Sequence, residues 1–266
     1  MNQPNIDNSV LDQMRAGKVA LGLVVRLGRS GEIVSIAKTS GHDFIFIDTQ
    51  HALYSLETIG HMAQAGLGAG IATLVRVPNS DDPDIGKLLD CGVSGIVVSD
   101  VSNAEQARKA VKAVRFPPRG TRSVQSTYSL TRYQSFETGA LTAAIERQTL
   151  LACMIETVEA VHNMDAIAAV DGIDVLHLGC TDLLADMGRP GRFDDPEMHA
   201  IAHRLISVCQ DSGKFAGIGG ERDIERLAGY FSQGLKFHTT QTDITYLISA
   251  ASQRVSALRQ AAEMRI

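Results

Sequence analysis

A chain of 266 residues with 44% apolar content can bury a sizeable core, as one large domain or two small ones. Its net charge of -5 is spread without a long basic run, and with no Trp and 5% aromatic residues it has little to grip phosphates or stack on bases, so nucleic-acid binding is set aside. No stretch approaches the roughly 18 apolar residues of a membrane span, and MNQPNIDNSVLDQMRAGK holds no apolar signal core, so a soluble cytoplasmic protein is expected.

In chain order, an N-terminal extension or helix (1–17) precedes a strand at LGLVV (21–25) and an amphipathic helix in SGEIVSIAKTSG (30–41). The alternation repeats in FIFID (44–48) with SLETIGHMAQAGLG (55–68), in ATLVRV (72–77) with DPDIGKLLDCG (82–92), and in GIVVSDV (95–101) with NAEQARKAVKAV (103–114). It resumes in LACMIE (151–156) with VEAVHNMDAIAAV (158–170) and in VLHLGC (175–180) with PEMHAIAHRLISVCQDSG (196–213). FAGIGG (215–220) with DIERLAGYFSQG (223–234) follows, then LKFHTT (235–240). Continuous rather than alternating apolarity suits strands covered on both faces, and the Ser, Asp, Asn and Gly residues at the helix ends match capping preferences. Eight alternations predict an α/β fold, one (β/α)8 TIM-barrel domain over residues 1–266 with a parallel eight-stranded sheet. The polar segment 116–150 is expected to lie over the carboxyl end of the strands and cover the site. A last helix, TDITYLISAASQRVSALRQAAEMRI (242–266), either closes its own barrel or packs on a neighbour.

In such barrels the carboxyl ends of the strands build the site. Strand two delivers Asp48, Gln50 and His51 there, strand three Arg76, strand five Glu156, and GCTDL after strand six Asp182. Glu156 and Asp182 come from adjacent strands without a neighbouring base, an oxygen donor pair suited to a hard divalent cation such as Mg2+ or Mn2+. His51 beside Asp48 is a candidate oriented base, because imidazole titrates near neutrality and a carboxylate fixes its tautomer. Arg76 offers a fork for a carboxylate, Gln50 is a further candidate substrate contact, and the backbone N–H groups of GCTDL can face an anion.

Other features carry ordinary readings. Cys91, Cys153, Cys180 and Cys209 form no CxxC pair and are expected as reduced, packed thiols, with Cys180 as a nucleophile a competing possibility that lacks an identifiable base. His199 and His203, four apart on a helix, lack the HExxH context and are read as a solvated face. Gly217, Gly219 and Gly220 fit either phosphate approach or close packing at the barrel rim.

From about Lys18 to Leu258 the chain resembles the HpcH/HpaI aldolase family of class II pyruvate aldolases, in the phosphoenolpyruvate/pyruvate barrel superfamily. The matching stretches are GHDFIFIDTQHALYS, LVRVP, KLLDCGVSGIVV, NAEQARKAV, RFPPRGTRS, MIET, AVDGIDVLHLGCTDL and GKFAGIGG. The resemblance implies a divalent metal (Mg2+, Mn2+ or Co2+) on Glu156 and Asp182, and a pyruvate-like carboxylate on the amides of Gly179, Cys180, Thr181 and Asp182. It implies that Arg76 contacts the oxo or enolate oxygen and that His51, with Asp48, is the acid/base dyad. Asp90 matches a position that reaches a neighbouring subunit's site. The implied activity is metal-dependent cleavage or formation of 4-hydroxy-2-oxo acids, with a 2-oxo acid and an aldehyde as small-molecule partners. The implied assembly is a homo-oligomer, a hexamer or trimer of dimers, with an exchanged terminal helix.

Several positions depart from the family pattern: Thr49-Gln50 before His51, Met154 where Gln is common, Val98-Ser99-Asp100 at the end of strand four, Gln125, and the polar HTTQTD (238–243). They keep two alternatives open, a related oxo-acid lyase or decarboxylase on the same enolate chemistry, and a barrel that binds an oxo acid without turning it over.

Overall fold

Successive side chains of a strand point to opposite faces, and in this protein the two rows have different surroundings. The computed structural model describes residues 4–263. Its strands are β1 (Ala20–Val25), β2 (Phe44–Asp48), β3 (Ala72–Val77), β4 (Gly95–Val98), β5 (Leu150–Ile155), β6 (Val175–Gly179), β7 (Phe215–Gly219) and β8 (Leu235–Thr242). They pair in parallel in sequence order, and β8 closes on β1. The helices are α1 (Ser9–Arg15), α2 (Gly31–Thr39), α3 (Leu56–Ala69), α4 (Ile85–Asp90), α5 (Ala104–Val114) and α6 (Thr138–Gln148). After them come α7 (Val158–His162), α8 (Met164–Ala168), α9 (Cys180–Asp186), α10 (Pro196–Asp211), α11 (Ile224–Gln233) and α12 (Asp243–Glu263). The expected (β/α)8 barrel is present. None of the described helices is long and apolar enough to cross a membrane.

One row of each strand packs outward under the helices: Ile45 and Ile47, Val75 and Val77, Leu151 and Cys153, Leu176 and Leu178. The other fills the barrel with Phe44, Phe46, Ala72, Leu74, Val97, Ala152, Met154, Val175 and Phe237. α1 belongs to the inner cluster through Val10, Leu11 and Met14, and stoppers the amino-terminal end of the barrel. Asn8 fixes it there, capping the helix and donating to Ser94 O at 3.0 Å and Gln148 O at 2.7 Å.

The segment 116–150 does not lie over the carboxyl end. Connections that follow a strand emerge at that end, whereas this one follows α5, which has already returned the chain to the amino end. Phe116, Tyr128, Leu141, Ala144 and Ile145 bury against Ile6 of the N-terminal arm, α6 ends the segment, and Arg122 pairs with Asp90 at 2.9 Å. Buried Arg115 anchors its root on Gly172 O at 2.7 Å, Thr149 O at 2.7 Å and the Asp174 carboxylate at 2.7 Å.

α12 continues directly from β8. Of its residues Asp243 is buried, accepting from the amides of Arg26, Leu27 and Gly28, while Ile244, Tyr246, Leu247, Ile248, Val255 and Leu258 stay exposed. Within one chain the helix does not close the barrel. The expected helix reaches to residue 266 and the N-terminal extension begins at residue 1; residues 264–266 and 1–3 lie outside the described residues.

Candidate active site

The inner row turns polar as each strand nears its carboxyl end. Phe44 and Phe46 lead to Asp48, Ala72 and Leu74 to Arg76, and Ala152 and Met154 to Glu156. Arg76 and Met154 of this row line a cavity of about 560 Å³ whose wall also includes Arg26, His51, Gly179 to Asp182, Arg222 and Thr239 to Thr242, while Asp48 and Glu156 lie buried behind it.

Asp48 is fully buried and serves two arginines. Arg76 is bidentate on it, with Nε at 2.9 Å and Nη2 at 2.6 Å, and Arg26 donates from Nε at 2.6 Å. Burial opposes ionisation of Asp48, but Arg76 and then Arg26 outweigh it and hold the carboxyl below its usual range. The same carboxylate accepts from the backbone amides of Gln50 at 3.1 Å and His51 at 3.3 Å. Asp48 therefore shapes the turn that carries His51; among the described residues it forms no hydrogen bond with the imidazole. This corrects the expected ring-to-carboxylate dyad: Asp48 points inward and its oxygens are spoken for. His51 is exposed at the cavity rim. Partial desolvation and then the Arg76 charge lower its pKa, which leaves a neutral imidazole able to accept a proton near pH 7.

With Nε and Nη2 committed, Arg76 keeps Nη1 for a ligand. Its neighbour there is the Met154 sulfur at 3.9 Å, a weak acceptor. Ser99 Oγ lies 3.8 Å from Met154 Sδ and donates its proton to the nearer Gln50 side-chain oxygen at 2.9 Å. Gln50 is thereby turned to Ser99 and does not form part of the cavity wall.

Glu156 is 2% exposed. Its Oε1 accepts from the Asp100 amide at 2.8 Å, while its buried Oε2 has no hydrogen-bond partner among the described residues. Asp100 holds that amide in place from a left-handed conformation (φ 54°), which aspartate tolerates better than most residues. Burial raises the Glu156 carboxyl to about 7, the backbone amide of Asp100 opposes the rise, and the charges of Asp100 and Asp182 add to it. Gly179 makes room for the arrangement, since a methyl group there would meet Glu156 Oε2 at 2.7 Å. An orphaned carboxylate oxygen lying against a glycine, and a second carboxylate close enough to act on it by charge, fit a hard divalent cation completed by water and substrate oxygens. Among the described residues no group of three or more His, Cys, Asp or Glu converges to hold a metal by protein ligands alone.

Asp182 lies with Cys180 and Thr181 in the first turn of α9, a short helix that the sequence pattern did not reveal; first-turn amides lack intrahelical acceptors. Cys180 is buried, and its burial pushes the thiol well above its ordinary value, so a thiolate nucleophile is disfavoured. Cys153 and Cys209 are also packed, but Cys91 is exposed, contrary to expectation. His199 and His203 bond to Tyr230 and Gln233 of α11. Asp90 is not brought to this cavity: it sits at the opposite end, paired with Arg122.

A family model described as HpcH/HpaI aldolase/citrate lyase matches residues 13–250. The chain belongs to this family. It is 32% identical over 264 residues to the 4-hydroxy-4-methyl-2-oxoglutarate aldolase of Chaetomium globosum, covering 97% of this chain and 98% of the relative. It is 33% identical over 248 residues to the 4-hydroxy-2-oxo-heptane-1,7-dioate aldolase of Escherichia coli, covering 92% and 93%. The crystal structure of the HpcH/HpaI aldolase from Desulfitobacterium hafniense superposes with a TM-score of 0.88 at 25% identity, covering 94% of this chain and 96% of that one.

Proposed function

We propose that this family member is an aldehyde-lyase that cleaves or forms 4-hydroxy-2-oxo acids through the enolate of pyruvate, with a divalent cation (Mg2+, Mn2+ or Co2+) held by Glu156 and Asp182. The observation that carries this reading is the orphaned Glu156 Oε2 in the same site as Arg76 Nη1, whose protein partner is the weakly accepting Met154 sulfur, a set of groups for a substrate whose oxygens become anionic during reaction. The names of the relatives, aldolases of 4-hydroxy-2-oxo acids, support the same chemistry.

When bound, the cation supplies Lewis-acid stabilisation of negative charge on oxygen. The first-turn amides of Gly179 to Asp182 receive the oxo-acid carboxylate. Nη1 of Arg76 donates to the C2 oxygen, and that hydrogen bond strengthens as the oxygen turns anionic, so it favours the transition state over the bound substrate. Asp48, with Arg26 on its other side, keeps the Arg76 fork from rotating away. His51 accepts the C4 hydroxyl proton. The C3–C4 bond then breaks, its electron pair goes to C3 and is delocalised onto the C2 oxygen, and the aldehyde departs. Protonation at C3 completes pyruvate; condensation runs the same steps backwards.

Incubated with pyruvate in deuterium oxide, the protein with added Mg2+, Mn2+ or Co2+ is expected to exchange the methyl protons well above the cation-only rate, as followed by proton NMR. Exchange no faster than that control with any of the cations would overturn the reading.

The exposed apolar residues along α12 support the homo-oligomer expected from the resemblance, in which this helix packs on a neighbour and Asp90 reaches the neighbour's site. Sedimentation velocity is expected to give a multiple of the chain mass, as for a hexamer or a trimer of dimers. A monomer at micromolar concentration would remove both parts of that idea.

A further inference from the structure

His177 has no part in the steps above, yet it is 1% exposed and lines the same cavity. It sits in the inner row of β6, two residues before Gly179, edge-on to Phe237 with ring centroids 5.2 Å apart. The imidazole lies along two glycines of β7. A methyl group on Gly217 would meet Nδ1 at 2.8 Å, and one on Gly219 would meet Nε2 at 2.8 Å. Gly219 is the nearer to the carboxyl end, so Nε2 is the nitrogen directed at the cavity and Nδ1 the one directed into the barrel. Nδ1 is sealed from solvent and has no hydrogen-bond partner among the described residues. Thr239 Oγ1, from β8, lies 2.7 Å from the same position on Gly219, and Thr239 also lines the cavity. The absence of a side chain at Gly219 thus lets an imidazole nitrogen and a hydroxyl lie close against the strand, in the wall of the cavity that both residues line.

Burial, followed by the charges of His238 and Arg76, lowers the His177 imidazole to about 3, so the ring is neutral and carries one N–H. Nδ1 is without a partner in either tautomer, so what separates the two is whether the proton can find an acceptor. On Nε2 the same proton faces the cavity, where a ligand oxygen can accept it. The favoured tautomer therefore presents a hydrogen-bond donor at the cavity floor.

We infer that His177 is a specificity-determining residue whose Nε2–H, together with the Thr239 hydroxyl, binds a hydroxyl group of the substrate. The identity of that substrate rests on the aldolase reading; the donor itself does not. A methyl group in the same place leaves the N–H unpartnered, which is the situation in which an enzyme discriminates most strongly against an analogue lacking an oxygen. Two halves of the substrate can supply the hydroxyl: C3 of the oxo acid, as in hydroxypyruvate against pyruvate, or the aldehyde, as in glycolaldehyde against propanal.

The test compares kcat/KM within each of these pairs for the parent, His177→Phe and Thr239→Val. In one pair the parent is expected to favour the hydroxyl-bearing member by about a hundredfold, and His177→Phe to bring that ratio within about threefold. Thr239→Val reduces the ratio less. Whichever pair shows the effect identifies the half that carries the hydroxyl. Equal treatment of both members of both pairs by the parent overturns the inference, as does a preference that survives His177→Phe. Nitrogen-15 NMR of ring-labelled protein gives a readout independent of turnover. It is expected to find Nε2 protonated and Nδ1 bare, with the Nε2 signal moved by hydroxypyruvate or glycolaldehyde but not by its unhydroxylated counterpart. A protonated Nδ1 overturns the inference whether or not the parent exchanges pyruvate protons, while absent exchange with the expected Nε2 response condemns the aldolase reading alone.

Discussion

Arg76→Lys is expected to lower kcat/KM for retro-aldol cleavage by about 10² to 10³, the range for removing one well-placed donor to a developing oxyanion. An ammonium reproduces the charge but not the fork, so it cannot hold Asp48 with two donors and still offer a third to the substrate. Because the contact to the C2 oxygen strengthens as charge develops there, the loss should fall on kcat more than on KM. Lysine also leaves Asp48 with Arg26 as its remaining strong partner, and a lower melting temperature accompanies the kinetic effect. Steady-state kinetics of pyruvate release on the folded variant provide the measurement. A loss smaller than about tenfold, or one confined to KM, contradicts the assigned role.

Glu156→Gln should abolish divalent-cation binding and turnover while stabilising the cation-free protein at neutral pH and above. Burial holds the folded carboxyl at about 7, against 4.5 for the free group, despite the opposing Asp100 amide. Between these values the unfolded chain has released its proton and the folded chain has not. The unfolded state thus binds fewer protons, and stability falls as pH rises from about 4.5 through about 7. The full window corresponds to roughly 3 kcal/mol of lost stability. Glutamine has no proton to release and removes this slope. Urea unfolding in the presence of a chelator across that pH range measures it, and calorimetric titration with Mn2+ measures the binding. Parental Mn2+ affinity in Glu156→Gln would show that the ligand assignment is wrong, and parallel stability curves that Glu156 is not the buried acid it is taken to be.

The barrel was legible because each strand is a short apolar run between helical segments, and the observed strands fall within a few residues of those runs. The continuity that marked the strands also concealed their inner row. Counting by twos from Phe44 and Phe46 reaches Asp48, and the same count along the other strands reaches Arg26, Ser99, His177, Thr239 and Gln241. Arg26 and His177 are absent from the candidates read at the strand ends, and Ser99, Thr239 and Gln241 stand there only within the departures from the family pattern, although the period-two pattern holds the signal for all five. The bond between Asp48 and Arg26 was out of reach, because it joins neighbouring strands 22 residues apart and nothing local distinguishes it from the expected partnership with His51. Segment 116–150 follows the fourth strand in the sequence, and that order alone points to the carboxyl end. The intervening α5 reverses the direction of the chain and decides the matter. The free oxygen of Glu156 depends on the left-handed backbone at Asp100, a property of a single φ angle rather than of composition.

The inner row fills the barrel and α1 stoppers it with Val10, Leu11 and Met14, so among the described residues the cavity is reached from the His51 end. Reactants must queue: the fragment seated deeper enters first and leaves last, whichever direction the chemistry runs. Product-inhibition patterns ought then to be those of an ordered sequence rather than a random one, a kinetic consequence of a barrel packed solid beneath its cavity.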